Sequence, residues 1–443
     1  MNRNAYDQVR AVDAMMAAVR ERHPVLIELT TERIERLLGR LGRPQDRLPP
    51  VVHIAGTNGK GSTAAYLRAI GEAAGLSVHV LTSPHLVRFA ERIRLAGKLI
   101  SDDYMEELVL RLEQINAEAP LSFFELMTAV AIEAFAETPA DLCIIEVGLG
   151  GRYDATNVFA WPAATVITPI DYDHTDLLGP TLEKIAGEKA GILRKRIPCI
   201  VARQDPEAFA VIERQAEALD APLLALGRDF DAWEERGRLV VQLQDRLLDL
   251  PLPSLFGEHQ IDNAAVAAVT ALGLDHVAIE ETAIGRGLSQ ASWPARFQRL
   301  TQGPVARAAK LRGAVVWLDG GHNPHAGRAL AASLPRLLAR DPRPLTLIVG
   351  MLDRKDAEGF FAAFRDLKPR VITTGFNSPN ATPPEVLAQR SAGAGLDATP
   401  TANLADALEL ALGGEGPAPH VLICGGLYFA GEVLALSPET WPT

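Results

Sequence analysis

Cysteine is scarce in this 443-residue chain: Cys143, Cys199 and Cys424 stand far apart. Three scattered thiols exclude a disulfide framework and a cysteine-built zinc site. Cys143 and Cys424 fall in apolar, strand-like runs, where buried small hydrophobes are expected. Long apolar stretches are missing too, since none reaches the ~18–20 residues of a membrane span. The first sixteen residues have no apolar core of the secretory kind. Basic residues are outnumbered, 44 Lys and Arg against 55 Asp and Glu, for a net charge of −11. General nucleic-acid binding rests on basic patches that release counterions, so this balance argues against it. There is no repeat of fixed period and no low-complexity tract. What is present, 48% hydrophobic and 22% charged residues, is the composition of a globular enzyme. A cytoplasmic monomer with no membrane or nucleic-acid partner is expected.

Short apolar runs alternate with longer helical patterns. Strands are expected at Val51–Ala55, Val78–Thr82, Leu142–Val147, Thr165–Thr168 and Pro198–Ala202, with helices at Ser62–Ala74 and Phe123–Glu137 among them. This alternation predicts an α/β fold with a mainly parallel sheet covered on both faces. Residues 228–256 break the rhythm. Leu239–Gln244 reads as an exposed strand and Pro251–Ser254 as a loop, which places a small antiparallel excursion there. An alanine-rich helix is expected from Asn263 to Leu272. A second alternating block begins near Ala314. Its strands are Ala314–Leu318, Leu345–Val349, Val371–Thr374 and Val421–Cys424. Its helices lie near 325–339, 356–367 and 404–412, the last capped by Asn403. Apolar periodicity lapses over Gln298–Gly313, which sets a domain boundary at 298/299.

The sharpest local signal is Gly56-Thr57-Asn58-Gly59-Lys60-Gly61-Ser62, between an apolar run and a helical pattern. A glycine turn from strand to helix offers backbone N–H groups and a positive helix end to phosphates, and Lys60 can reach the terminal ones. The loop is two residues shorter than the usual pattern. Gly61 stands where Ser or Thr would hold magnesium, so other oxygens must serve. In open α/β sheets such ligands lie at the C-terminal ends of strands. Ser83, Glu146 and His174 occupy three such ends.

Six stretches in order carry a family resemblance: Gly56–Ser62, Thr82–Ile93, Glu146–Asn157, Asp173–Gly179, Glu188–Ile192 and Asp319–Ala326. Together they resemble the folylpolyglutamate synthase and dihydrofolate synthase family, a branch of the Mur ligases. The resemblance implies a P-loop-type, mainly parallel ATPase domain over 1–298 and a smaller Rossmann-like, glutamate-ligase domain over 299–443. It implies ATP as co-substrate, with Gly56, Thr57, Asn58, Gly59, Lys60, Gly61, Ser62, Asn263, Arg296 and Asp319 touching the nucleotide. It implies Mg2+, with two ions held by Ser83, Glu146, His174 and Lys189, the last carboxylated on its amine. Lys60, Lys189 and His174 would then be the catalytic set. Ser122, Phe123, Phe124, Asp154 and Ala155 match the lining of a dihydropteroate pocket. Ile27-Glu28-Leu29-Thr30 matches another pterin-side segment but lacks the glycine usual near Thr30. His322 reads either as a phosphate or glutamate contact or as a turn residue.

The implied reaction joins L-glutamate to 7,8-dihydropteroate and to reduced folates through an acyl phosphate. Positioning and charge stabilisation dominate such chemistry. Three alternatives stand beside it. One is a folylpolyglutamate synthase alone. Another is a Mur-type amino-acid ligase acting on a cell-wall precursor, against which only about fifty residues precede the phosphate loop. The third is a nucleotide switch without ligase activity.

Overall fold

The structure, a computed structural model, describes residues 3–23, 30–414 and 416–443. Ile27, Glu28 and Leu29 of the pterin-side segment lie outside the described residues. The chain divides into two compact units, Met1–Ser254 with Ile261–Ala291 and Thr443, and Leu255–Gln260 with Ser292–Pro442.

The first unit is built on eight strands: β1 Val51–Ala55, β2 Val78–Leu81, β3 Ile93–Leu95, β4 Lys98–Leu99, β5 Leu142–Glu146, β6 Ala164–Ile167, β7 Cys199–Val201 and β8 Leu223–Ala225. They form one sheet in the order β4-β3-β2-β5-β1-β6-β7-β8. Every ladder from β2 to β8 is parallel. The short β3–β4 hairpin extends one edge antiparallel. Strands β1, β5 and β6 are buried along their whole length, as continuous apolar runs in a doubly covered sheet should be. Helix Phe123–Glu137 is apolar almost all round, and residues 125–135 are all buried. Helices Glu32–Arg40 and Asp102–Asn116 share its core. The antiparallel excursion is a three-stranded meander of β9 Phe230–Glu235, β10 Arg238–Leu243 and β11 Arg246–Pro251.

The second unit carries β12 Gln298–Arg299, β13 Val315–Leu318, β14 Leu345–Val349, β15 Arg370–Thr374, β16 Ala398–Thr401 and β17 His420–Cys424. Their order is β12-β13-β17-β14-β15-β16, parallel except for β12. This is a Rossmann-like α/β sheet. Asn403 caps helix Leu404–Leu412 as expected, accepting the Asp406 N–H.

Differences from the sequence reading have local causes. Gln298–Gly313, read as a lapse, holds β12 and helix Gly303–Leu311, whose short apolar stripe is Val305, Ala306 and Ala309. The division between units falls at Ala291/Ser292, ahead of the 298/299 expectation. Helix His259–Leu272 begins one turn before Asn263, and its first two residues belong to the second unit. All three cysteines are buried. Among the described residues no helix is long and apolar enough to cross a membrane.

Candidate functional site

The loop after β1 is shaped by two glycines, Gly56 at φ 148° and Gly59 at φ 90°. A Cβ on Gly56 would overlap Thr168 Oγ1, and one on Gly59 would lie 2.7 Å from Asn263 Oδ1. Conformation and space therefore both demand glycine. The Pro169 carbonyl accepts the N–H groups of Thr57 at 2.9 Å and Asn58 at 3.3 Å. Thr57 Oγ1 donates to Asp171 O at 2.9 Å. These bonds pin the loop to the exit of β6 and turn two of its N–H groups inward. The N–H groups of Thr57 and Asn58 are thereby engaged within the protein, and the loop's end differs from them. There the first helical bond, Thr63 N–H to Gly59 O, leaves the N–H groups of Lys60 and Gly61 at the positive end of helix Lys60–Ala73. Ser62 is buried in that turn.

Two lysines converge on one carbonyl. Lys60 Nζ donates to Gly56 O at 2.9 Å and Thr57 O at 3.1 Å. Lys189 Nζ donates to the same Gly56 O at 2.8 Å. Lys189 lies in the last turn of helix Leu182–Ala190 and is only 5% exposed. Burial first, and the Lys60 charge second, push its amine down to about 7, against the opposing pull of Asp173 and Asp154. Glu188, the neighbour in sequence, faces away and approaches Arg152 at 3.6 Å.

Glu146 and Ser83 lie at the C-terminal ends of β5 and β2, and His174 follows β6 after a loop. Glu146 closes β5 and is 6% exposed, with Oε2 3.4 Å from the Ser83 N–H. Ser83 and Glu146 line one small pocket with Arg92, Phe124 and Thr128. His174 begins a short helix at φ 52°, its N–H donating to Asp173 Oδ1 at 2.9 Å and its Nε2 3.9 Å from the same oxygen. Among the described residues no three His, Cys, Asp or Glu gather as a ready cage. Hard oxygens from Ser83 and Glu146 still fit a magnesium ion, which takes one or two protein ligands and completes its shell with phosphate and water.

The aromatic segment opens helix Phe123–Glu137. Ser122 caps it reciprocally: its Oγ accepts the Glu125 N–H at 3.2 Å, and its own N–H donates to Glu125 Oε2 at 2.6 Å. The Phe124 ring lies against Gly148, where any Cβ would overlap it. Phe123 meets Phe89 edge-on, with centroids 5.8 Å apart. Ala155 is buried in the core beneath. Asp154 is fully engaged by its own turn. Oδ2 accepts the Leu149 N–H at 2.8 Å, and Oδ1 accepts both the N–H, at 3.0 Å, and the hydroxyl of Thr156. Thr156 Oγ1 also meets buried His53 Nε2 at 2.9 Å. The oxygen expected to face a pterin is thus spent within residues 148–156.

In the second unit, Arg296, Asp319 and His322 gather beyond β13. Asp319 Oδ2 accepts the Phe297 N–H at 2.7 Å, and Oδ1 accepts the Gly321 N–H at 2.6 Å. Burial raises the Asp319 carboxyl, and Arg296 opposes the shift. Ala295 at φ 53° and Phe297 at φ 44° flank Arg296 in the left-handed region, which is costly for non-glycine residues. Packing of Phe297 on Trp317, at 5.2 Å, helps hold them there. His322 Nδ1 lies 3.2 Å from Gly320 O.

Residues 54–271 match the Mur ligase middle domain, and 296–427 match the Mur ligase glutamate ligase domain. The dihydrofolate synthase/folylpolyglutamate synthase of Bacillus subtilis is 33% identical over 90% of this chain and 93% of its own. The chain belongs to that family of Mur ligases. Escherichia coli FolC in complex with DHPP and ADP superposes with a TM-score of 0.84 at 30% identity, covering 95% of this chain and 96% of that one. The Yersinia pestis bifunctional folylpolyglutamate synthase/dihydrofolate synthase, complexed with AMPPNP and Mn, gives 0.84 at 31%, covering 96% and 97%.

Within this family fold, sequence reading passed over three contributors. Thr168 enforces Gly56, the Pro169 carbonyl pins the loop, and the Asp173 charge opposes the lowering of the Lys189 amine. All three lie in or just before the Asp173-His174 stretch, so only their partners were hidden. Asp154→Ala is expected to lower dihydropteroate and folate ligation together. It also orphans the Leu149 and Thr156 donors at a cost of about 1–3 kcal/mol each. Thermal melts and both initial rates check this; loss confined to dihydropteroate would return Asp154 to the pterin.

Proposed function

We propose that this protein is a cytoplasmic, monomeric ligase that uses ATP to join L-glutamate to 7,8-dihydropteroate and to reduced folates. The observation that carries the reading is the convergence of Lys60 and Lys189 on Gly56 O beside Asn263, in a chain of this family. Sheet topology puts that point at the C-terminal edge of parallel strands, the position for phosphate binding in such folds.

The Lys60 helix end receives the nucleotide phosphates, and the Lys60 amine moves from the loop carbonyls to a phosphate oxygen. The acceptor carboxylate attacks the γ-phosphorus, forming an acyl phosphate and ADP. The glutamate amine, having lost a proton, attacks the acyl carbon, and phosphate leaves through a tetrahedral intermediate. The protein acts by aligning these groups and offsetting charge. Ser83, Glu146 and His174, with Lys189 as its carbamate, would hold magnesium, which supplies Lewis-acid stabilisation of phosphoryl oxygens. Asn263 packs against Gly59 and contacts the nucleotide. Ser122, Phe123 and Phe124 form the aromatic wall of the acceptor pocket, and Asp154 and Ala155 hold its floor.

Purified protein with ATP should release phosphate only when glutamate and an acceptor are both present. Mass spectrometry should find dihydrofolate from dihydropteroate and an added glutamate on tetrahydrofolate. Product from tetrahydrofolate alone would leave a folylpolyglutamate synthase; phosphate release without either substrate would favour a nucleotide switch. Glu146→Gln should raise the magnesium concentration for half-maximal rate about 10–100-fold, since it removes a charged oxygen from the donor set. An unchanged magnesium titration would take Glu146 out of the metal site.

A further inference from the structure

Glu125 does more than complete a helix cap. Its carboxylate accepts the Arg33 Nε at 3.0 Å through Oε1 and 3.2 Å through Oε2, while Oε2 also takes the Ser122 N–H at 2.6 Å. Both partners are buried, with side chains 10% and 6% exposed. Arg33 sits in the first turn of helix Glu32–Arg40, two residues after the N-cap position Thr31. The same helix grips the approach to Ser122 at two further points: Arg36 donates to Pro120 O at 2.7 Å and Arg40 to Asn116 O at 2.7 Å. The capping box therefore fixes where Phe123 and Phe124 begin, and Arg33 fixes the capping box.

We infer that Arg33 is a positioning residue for the acceptor: paired with Glu125, it sets the Phe123-Phe124 wall against Gly148 and beside Ser83 and Glu146. The inference rests on the reading of those phenylalanines as the acceptor wall. A buried carboxylate left without its cation is costly, and turning it toward water releases the Ser122 N–H. The wall then shifts relative to Gly148, and even ångström-scale misplacement of a bound reactant is costly to rate. The phosphate loop, bonded to the Pro169 carbonyl and packed against Thr168 and Asn263, shares none of these contacts.

The test uses the full-length enzyme with saturating co-substrates, varying one substrate at a time. Arg33→Met should raise KM for dihydropteroate about tenfold or more while KM for ATP stays within about twofold. Arg33→Lys should recover part of the loss. The double variant Arg33→Met with Glu125→Gln should outperform Arg33→Met alone, because it removes the unpaired buried charge but keeps an acceptor for the Ser122 N–H. Phe124→Ala is run alongside. If Phe124→Ala raises the acceptor KM and Arg33→Met does not, the brace is overturned and the pocket stands. If neither moves it, the pocket reading fails and takes the inference with it. If Arg33→Met changes acceptor and ATP parameters equally, or lowers only the melting temperature, Arg33 is a structural pair and the inference is overturned.

Discussion

Lys60→Ala should lower kcat by about 10²–10³-fold while the protein still folds. Its amine rests on two carbonyls of its own loop, Gly56 O and Thr57 O, and holds no distant element in place. Alanine in the first turn of helix Lys60–Ala73 keeps the backbone and removes only the charge. A displacement of negative charge across the γ-phosphoryl group is where that charge acts, so the loss should appear in turnover rather than in nucleotide affinity alone. A second effect follows from the shared carbonyl. Lys60 is one of the causes that depress the Lys189 amine, so its removal should make Lys189 more basic and leave less of it neutral. Steady-state rates, paired with a thermal melt, check the prediction. A folded Lys60→Ala enzyme within a few-fold of wild type would remove Lys60 from phosphoryl transfer.

Much of this site was legible because its chemistry is local in sequence. Gly56 to Ser62 is one strand-to-helix turn, and Glu146 closes an apolar run whose end is visible. Asn263 was placed by resemblance, and the structure sets its side chain against Gly59, more than two hundred residues earlier in the chain. Sheet order was not legible, because periodicity marks strands without saying that β5 inserts between β2 and β1. The β3–β4 hairpin was missed because two- and three-residue strands carry no period. Asp154 shows a further limit. As a residue type it suits a pterin amine, but whether its oxygens are available depends on backbone donors at 149 and 156, which no side-chain pattern reports. Arg33 was invisible for the same reason in reverse: its meaning lies in a partner ninety-two positions away.

Lys189→Ala should be nearly inactive, with kcat down by about 10²–10³-fold, and added formate or acetate should restore part of the rate. As an unmodified amine, Lys189 is an awkward neighbour for Lys60, since two cations would share Gly56 O in a buried setting. The proposed carboxylation would resolve this. The neutral amine attacks CO2, a C–N bond forms, one proton is released, and the product is an anion bearing two oxygens. Repulsion from Lys60 becomes attraction, and a hard-oxygen donor appears beside Gly56, where magnesium and phosphate are proposed to meet. A small carboxylate diffusing into the space left by alanine supplies similar oxygens without the tether, so rescue should saturate and remain incomplete. Removing CO2 and bicarbonate from the wild-type enzyme should lower its rate reversibly, while Lys189→Ala should not respond. The two arms separate the anion from the amine: a plain cation at Lys189 predicts rescue by short alkylamines and no effect of CO2. Rescue of that kind, or carboxylates without effect on the variant, would leave Lys189 as an ammonium and require another oxygen donor for the metal.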